Sequence, residues 1–317
     1  MSEARANGAT RSVKVDAPAG VVYALIADAD KWPLYFSTMI HVEQLEFDGE
    51  RERLRMWSQL GGQLKSWIAY RHLDPLARRV QFWQELPAPP IRSLGGTLNV
   101  YPDGPRNSTL NVYYDYSVVD DQPESAEWAR LATERHTRTQ LGDIKDFAEL
   151  WYRLDDLMLT FEDSVRINGP AELAYDLLYR AGDWPEHVPH IARTDLTEDT
   201  PGIQELTSQI LCPGGPYTTE AVRICFPHAG RIVHKHTTPG PLLSARAGEW
   251  SVVPDETGVT VTSHQRVLLD EEHARHARHE HGSLAALRRQ VRDDLGGESR
   301  TLLDLARRHA ETAVRML

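Results

Sequence analysis

Alternating and helical stretches of apolar residues follow one another in a fixed order along the first half of the chain. Residues 12–16 alternate like a strand, and Asp16-Ala17-Pro18 is a helix-start signal before the apolar segment 19–27. A second short helix or turn carries Trp32 and Tyr35. Strand-like runs separated by turn signals then span 40–47, 51–58, 63–72, 78–85, 97–101 and 109–118. A long helical stretch over 124–151 closes this half.

The same order of elements returns in the second half of the chain at an offset of 152 residues. Trp32-Pro33 reappears as Trp184-Pro185, Arg71 falls on Arg223, and the chain ends in a helical stretch over 271–315. One constant offset along most of the chain indicates a duplicated domain. We therefore predict an N-terminal domain over residues 1–155 and its internal repeat over 156–317.

Each half contains one strand, two small helices, a run of antiparallel strands and a long C-terminal helix. This order predicts an α+β fold of two tandem helix-grip domains, in which a curved antiparallel sheet wraps the last helix around an internal cavity. Such a cavity is a natural container for a ligand. The closing helix of the first half has a polar middle at 133–140. It either faces a polar cavity or marks a break or an exposed stretch.

Composition and charge narrow the function classes. The chain has 317 residues and a formal net charge of -11, which argues against nucleic acid or anionic lipid as a main partner. No stretch approaches the ~20 apolar residues of a membrane helix, and the N-terminal residues lack the apolar core of a secretory signal. With only Cys212 and Cys225, no disulfide framework is expected, and the cytoplasm is the expected location.

The strand-like run 63–72 is the most informative segment for chemistry. Side chains two positions apart share a face of a strand, so Trp67, Ala69 and Arg71 line up together. In a cavity, the Arg71 guanidinium can hold a carbonyl or enolate oxygen while Trp67 forms a flat wall for planar intermediates. The alternative is a surface arginine paired with a carboxylate. The recurrence of an arginine at Arg223 supports a role in the pocket.

Other side chains could move protons. The Tyr35 phenol could donate a proton to a developing alkoxide, or it could be a half-buried tyrosine with one hydrogen bond. The same offset places His187 at the Tyr35 position of the second half. His234 and His236 alternate on a strand and either line the second pocket or are ordinary strand residues.

A metal or nucleotide cofactor is not expected. The histidines of the segment from His273 to His281 lack the His-Glu-x-x-His spacing, and the arginines between them would repel a cation. The longer Arg/His-rich segment from His273 to Arg292 is either a solvated helix face or a local basic patch for an acidic partner. Glycine-rich nucleotide loops and a nucleophile elbow are also missing from the sequence.

These features together resemble the didomain aromatase/cyclases of bacterial type II polyketide synthases. The resemblance spans nearly the full chain. It rests on specific segments, which are Trp32-Pro-Leu-Tyr35, His41-Val-Glu43, Trp67-Ile-Ala-Tyr-Arg71-His-Leu-Asp-Pro75, Gly182-Asp-Trp-Pro185 and His236-Thr-Thr-Pro-Gly240. Membership implies two fused START/Bet v 1-like domains. It also implies acyl carrier protein and other type II polyketide synthase subunits as partners, and no cofactor.

The resemblance also implies site residues. A tryptophan, a serine and an arginine on one strand, with a tyrosine, are the pocket residues of single-domain relatives; Trp67, Arg71 and Tyr35 match three of them, and Ala69 replaces the serine. Arg71 and Tyr35 are therefore the expected catalytic residues. The expected substrate contacts are Trp67, Trp32, Trp83, Arg223, His187 and Thr219.

The implied reaction is first-ring aldol cyclisation, between C7 and C12 of a ketoreduced poly-β-ketone, followed by dehydration and aromatisation. A shaped cavity would choose which carbons meet, and Arg71 would stabilise the oxyanion of the aldol step. The alternative function is a non-catalytic START-like protein that binds or carries a hydrophobic ligand. That alternative predicts a largely apolar pocket without paired polar groups.

Overall fold

A computed structural model describes residues 7–119, 122–212, 215–280 and 282–315. The chain divides into two compact units, Met1–Arg153 and Leu154–Leu317. The division lies after Arg153, two residues before the boundary predicted from the sequence. In the part of the chain described, none of the helices is both long and apolar enough to cross a membrane.

The first unit is one antiparallel sheet with a long helix. Its helices are α1 (Ala19–Ala27), α2 (Trp32–Tyr35) and α3 (Pro123–Glu149). Its strands are β1 (Asn7–Val15), β2 (Met39–Phe47), β3 (Arg51–Leu60), β4 (Gln63–Asp74), β5 (Arg79–Gln84), β6 (Ile91–Pro102) and β7 (Ser108–Val118). The strand order is β1-β7-β6-β5-β4-β3-β2, so the first strand pairs with the last and every other pair is a neighbour in sequence.

The second unit repeats this arrangement. A short helix, α4 (Leu154–Leu157), leads into it, followed by α5 (Ala171–Tyr179), α6 (Glu271–Glu280) and α7 (Leu284–Arg315). Its strands are β8 (Met158–Ile167), β9 (Ile191–Thr200), β10 (Ile203–Ile210), β11 (Tyr217–Phe226), β12 (Arg231–Thr238), β13 (Leu243–Asp255) and β14 (Gly258–Leu269). The strand order is β8-β14-β13-β12-β11-β10-β9. The predicted α+β fold of two tandem helix-grip domains is confirmed.

Apolar residues on one side of each sheet form the core beneath the long helix. In the first unit, Leu141, Ile144 and Ala148 of α3 are buried, as are Leu54 and Leu110 on the strands. In the second unit, the core cluster joins strand residues to four residues of α7, which are Leu302, Leu303, Ala306 and Ala310. The part of each core that the side chains leave open becomes a cavity.

The closing helix of the second unit differs from the prediction. The sequence pattern predicts one helix over 271–315, but α6 ends at Glu280 and α7 begins at Leu284. Gly282 has a positive φ of 79°, and the Ser283 hydroxyl accepts a hydrogen bond from the Ala286 backbone N–H. A left-handed glycine followed by an N-capping serine ends one helix and starts another.

Candidate active site

The cavity of the first unit lies between the sheet and α3, and its volume is about 100 Å³. Most of its lining is apolar or aromatic, and the polar groups are Arg71, Gln84 and Gln140. Trp67, Ala69 and Arg71 of β4 all line it, as the alternation of the strand predicts. Arg71 is 2% exposed, so its charge must be satisfied inside the protein.

Three groups hold the Arg71 guanidinium. Its Nη2 donates hydrogen bonds to the carbonyl oxygens of Ile26 at 2.7 Å and Ala27 at 3.1 Å. Its Nε lies 3.2 Å from Oε1 of Glu52, which is equally buried. The two carbonyls belong to the last turn of α1, where helix carbonyls lack partners within the helix and favour a cation. Arg71 therefore anchors α1 to the sheet.

Arg71 also retains capacity for a ligand. Its Nη1 is buried and has no hydrogen-bond partner among the described residues. Burial lowers the pKa of Arg71 to about 10, with Glu52 acting in the opposite direction, so the guanidinium is still charged at neutral pH. A buried cation with an unused donor can stabilise an oxyanion in the cavity.

Trp32 and Trp67 provide aromatic walls of the same cavity. The Arg71 guanidinium lies 4.6 Å from the centre of the Trp32 ring, and the Trp32 indole donates a hydrogen bond to the Leu25 carbonyl oxygen. Trp32 is thereby fixed at the end of α1 beside the cation. Trp67 lies on the same strand face as Arg71, four positions earlier.

The polar middle of α3 contributes to the cavity. The helix is continuous from Pro123 to Glu149, so the stretch is not a break. Gln140 lines the cavity and Thr137 is buried. His136 lies one turn before Gln140, and burial lowers its pKa to about 4, so its imidazole is neutral at neutral pH. The polar-cavity interpretation of this stretch therefore holds for Gln140.

Two expected residues of the first unit lie elsewhere. Tyr35 is 6% exposed and packs against the Phe147 ring at 5.0 Å, and it does not line the cavity. Trp83 is 46% exposed and stacks on Tyr70, because Val80, Phe82 and Gln84 take the inward positions of β5 and leave Trp83 on the opposite face. The expectations that Tyr35 and Trp83 contact a ligand in this cavity need correction.

The second unit has an equivalent cavity of about 90 Å³. Arg223 and Thr219 of β11 line it, as do His234 and His236 of β12. Its lining is much more polar than that of the first cavity. The further polar groups are His190, Ser208, Arg246, Gln265, Glu298 and Ser299. Neither Arg246 nor Glu298 was predicted from the sequence, although a lone arginine between Ala245 and Ala247 on a strand was a usable signal.

Arg223 repeats the contacts of Arg71. It donates hydrogen bonds to the carbonyl oxygens of Leu178 and Tyr179 at the end of α5. Its guanidinium lies 5.2 Å from the centre of the Trp184 ring. Burial lowers the pKa of Arg223. Gln204 occupies the Glu52 position at the same offset, so the second arginine has an amide where the first has a carboxylate.

His187 does not enter the second cavity. It follows a short helical turn and is exposed, whereas His190, three residues later, lines the cavity. Burial lowers the pKa of His190. The expectation for His187 is therefore corrected: of the two histidines after Trp184, His190 lines the cavity and His187 does not.

The first histidines of the histidine-rich segment lie on α6. His273 pairs with Asp270 at 2.8 Å, and His276 Nδ1 lies 2.9 Å from the Glu272 carbonyl oxygen. His281 and the side chains of residues 277–280 lie outside the described part of the chain. Within residues 7–119, 122–212, 215–280 and 282–315, no group of three His, Cys, Asp or Glu side chains could hold a metal ion.

Comparisons with known protein families match both units. A family model described as polyketide cyclase/dehydrase and lipid transport matches residues 15–138. A second family model of the same description matches residues 158–295.

Curated relatives align over nearly the whole chain. The actinorhodin polyketide synthase bifunctional cyclase/dehydratase of Streptomyces coelicolor is 32% identical, covering 99% of this chain and 98% of the relative. The granaticin polyketide synthase bifunctional cyclase/dehydratase of Streptomyces violaceoruber is 30% identical, covering 95% of this chain and 92% of the relative.

Two solved structures share the complete two-unit chain. The di-domain ARO/CYC BexL from the BE-7585A biosynthetic pathway has a TM-score of 0.86 and 35% identity, covering 96% of this chain and 99% of BexL. The di-domain ARO/CYC StfQ from the steffimycin biosynthetic pathway has a TM-score of 0.83 and 26% identity, with the same coverage of 96% and 99%.

Proposed function

Because the chain belongs to the polyketide cyclase/dehydrase family, we propose that it is an aromatase/cyclase of a type II polyketide synthase. Its substrate is a ketoreduced poly-β-ketone carried on acyl carrier protein. The reaction is aldol closure of the first ring between C7 and C12, followed by dehydration and aromatisation.

One observation carries this proposal. Arg71 is a buried cation with an unpartnered Nη1, and it lines a cavity that also contains Trp32 and Trp67. A binding-only cavity for a lipid would not need a buried charge, since an unused polar group inside a protein costs free energy. The cation and the two indoles match a planar intermediate that carries negative charge on oxygen.

The proposed steps need only proton transfers and orientation. A methylene between two carbonyls loses a proton to water, and the resulting enolate carbon attacks a ketone carbonyl further along the chain. Nη1 of Arg71 donates hydrogen bonds to the ketone oxygen as it becomes an alkoxide. The alkoxide takes up a proton. Loss of the resulting hydroxyl as water, and loss of the ketoreduced hydroxyl of the ring as a second water, then give the aromatic ring once the remaining ring ketone enolises. No electrons leave the system, so the reaction does not call for a redox cofactor.

The cavity volume supports control of one ring at a time. Its ~100 Å³ is somewhat below the ~150 Å³ of an apolar cavity that accepts one benzene. We propose that the ring-forming segment occupies this cavity and that the rest of the chain stays outside it. Holding the two reacting carbons in contact is worth a large effective concentration, and this fixes which carbons meet.

Reconstitution with a minimal polyketide synthase and a ketoreductase tests the proposed function. With the full chain, we expect one first-ring product in place of the spontaneous mixture. A double variant, Arg71→Met with Glu52→Leu, removes the cation without stranding its carboxylate, and we expect ring closure to slow by about 10²–10³-fold. Trp83→Ala is the matched control, because this exposed side chain lies outside the cavity.

The outcomes separate the alternatives. A product mixture that is the same with and without the wild-type chain would refute the cyclase function. If the chain binds the polyketide without changing the products, the protein is a carrier. If the double variant matches the wild type in rate and product, cyclisation stands but Arg71 is not its oxyanion group. Isotope labelling of the product carbons reports the ring position.

A further inference from the structure

The second cavity contains buried polar atoms that its own contacts leave unsatisfied. The Nδ1 atoms of His234 and His236 are shielded from solvent and have no hydrogen-bond partner among the described residues. Their rings lie 5.8 Å apart, and both line the cavity. Arg246 also lines the cavity, where it donates hydrogen bonds to Gln265 at 3.3 Å and to Glu298 at 3.1 Å.

Strand pairing shows which residues the first unit has at these positions. Arg71 pairs with Phe82 as Arg223 pairs with His234, so His234 takes the place of Phe82. Two residues further along the same strands, His236 takes the place of Gln84.

Arg246 likewise replaces an apolar residue. Gly96 pairs with Phe82 on β5, and Gly248 pairs with His234 on β12, so the two glycines are equivalent. Leu94 and Arg246 each lie two residues before these glycines. The duplicated fold therefore has apolar side chains at the positions of His234 and Arg246, and an uncharged amide at that of His236, without loss of the architecture.

A glycine gives room to the ring at this position in both units. A Cβ at Gly248 would come within 2.9 Å of the His234 ring, and a Cβ at Gly96 would come within 2.9 Å of the Phe82 ring. Burying an imidazole and a guanidinium in place of Phe82 and Leu94 costs free energy, unless a ligand supplies the missing partners. Because the first unit has apolar residues at these two positions, the fold does not require this cost, which supports a ligand as the reason for the polar lining.

We propose that the second cavity is a separate catalytic site that eliminates water from a cyclised β-hydroxy ketone, with Arg246 holding the ketone oxygen and His234 or His236 moving the proton. The inference rests on the proposed function for the origin of its substrate. The relatives' names include a dehydratase activity, and this assignment places that step in the second unit.

The elimination needs no proton donor or acceptor from outside the cavity. The imidazole Nδ1 takes the proton from the carbon between the ketone and the hydroxyl-bearing carbon, and the electron pair moves to the oxygen held by Arg246. The carbon–oxygen bond to the hydroxyl then breaks as the enolate re-forms the ketone. The imidazolium returns its proton to the departing hydroxyl, which leaves as water. The product is the conjugated ketone, and the histidine ends as it began.

The electrostatics of the cavity suit this cycle. Burial, with Arg246 as the next cause, lowers the pKa of His234 to about 3 and that of His236 well below its usual value. Both imidazoles are therefore neutral at neutral pH. An enolate formed beside them would offset the positive charges of Arg246 and Arg223. It would thereby raise the proton affinity of the imidazoles at the moment of transfer.

The test uses a small substrate that bypasses ring closure. 3-Hydroxy-1-tetralone, whose hydroxyl is β to its ketone, loses water and tautomerises to 1-naphthol. Absorbance and fluorescence detect this product directly. We expect the wild-type full chain to accelerate this reaction above the buffer rate. The double variant His234→Phe with His236→Gln installs the residues of the first cavity, and it should lower the catalysed rate by about 10²-fold or more. His264→Gln, an exposed histidine of β14, is the matched control and should retain the rate.

The results decide the proposal in every case. A wild-type rate equal to the buffer rate would overturn it, as would a double variant that retains the rate. If the double variant fails to fold by thermal melting, Arg246→Lys serves in its place, because it keeps the charge but loses the planar fork and should slow the elimination. An unchanged rate in a folded Arg246→Lys protein would also count against the proposal. Reconstituted ring closure is read separately, so failure of the cyclase function and failure of this site give different results.

Discussion

Removing Arg71 alone should destabilise the first unit mainly through the carboxylate that it leaves behind. The side chains of Arg71 and Glu52 are 2% and 3% exposed. Arg71→Met leaves Glu52 as an uncompensated buried charge, which costs about 3–5 kcal/mol. Adding Glu52→Leu removes that charge, and the remaining cost is that of the Ile26 and Ala27 carbonyls that lose their donor, about 1–3 kcal/mol. The double variant should therefore be more stable than the single one by roughly 2 kcal/mol.

Hydrogen exchange on peptides from residues 51–74 measures the loss of stability in the first unit alone, because those peptides contain β3 and β4. Each ~1.4 kcal/mol corresponds to a tenfold change in exchange rate. We expect the single variant to exchange about 10²–10³-fold faster than wild type. The double variant should exchange at least tenfold more slowly than the single variant.

The second unit offers a matched comparison in the same molecule. Arg223 makes the same helix-end contacts but faces Gln204, an uncharged amide, at the Glu52 position. Arg223→Met should therefore cost only about 1–3 kcal/mol in the second unit. Equal destabilisation by Arg71→Met and Arg223→Met, or a double variant no more stable than Arg71→Met, would refute the reasoning.

Three further predictions follow from the two cavities. Gly248→Ala should lower the stability of the second unit by about 1–3 kcal/mol in urea unfolding, because its Cβ would clash with the backbone carbonyl oxygen of His264 and come within 2.9 Å of the His234 ring; an unchanged midpoint would contradict this geometry. His234 and His236 have pKa values lowered by burial, so the unfolded chain binds more protons below pH ~6.5 and stability should fall toward pH ~4, by about 1.4 kcal/mol per pH unit for each imidazole; a pH titration of the urea midpoint should lose this slope in His234→Phe with His236→Gln. Trp83→Ala should leave products unchanged and cost under ~1 kcal/mol, since only its stacking on Tyr70 is lost; a changed product ratio would place Trp83 at the substrate.

Periodic features of the sequence led to the correct architecture. The constant offset predicted two copies of one fold, and strand alternation placed Trp67 and Arg71 on one face before any coordinates were known. The family resemblance was confirmed by relatives that align along nearly the whole chain. These features extend over many residues, so small local deviations do not obscure them.

Single positions outside a clear period were harder to place. Tyr35 and His187 belong to short helical turns, whose side-chain directions depend on how the turn packs and not on a repeat. Trp83 was misplaced because alternation separates the two faces of a strand without saying which one is inward. The partners of Arg71 at the end of α1 lie far away in sequence, so their hydrogen bonds have no local signal.

The pairing of the first strand with the last in each unit has a consequence during synthesis. Asn7 pairs with Tyr116, and Met158 pairs with Leu268, so neither sheet can close until its last strand has left the ribosome. Such non-local pairing is slow, and it leaves strand edges open while the chain grows. The first unit should complete its sheet before β14 is made, which keeps two related sets of strands from competing for one another. A slowed first unit would expose β1 and β8 together and favour exchange of strands between the copies.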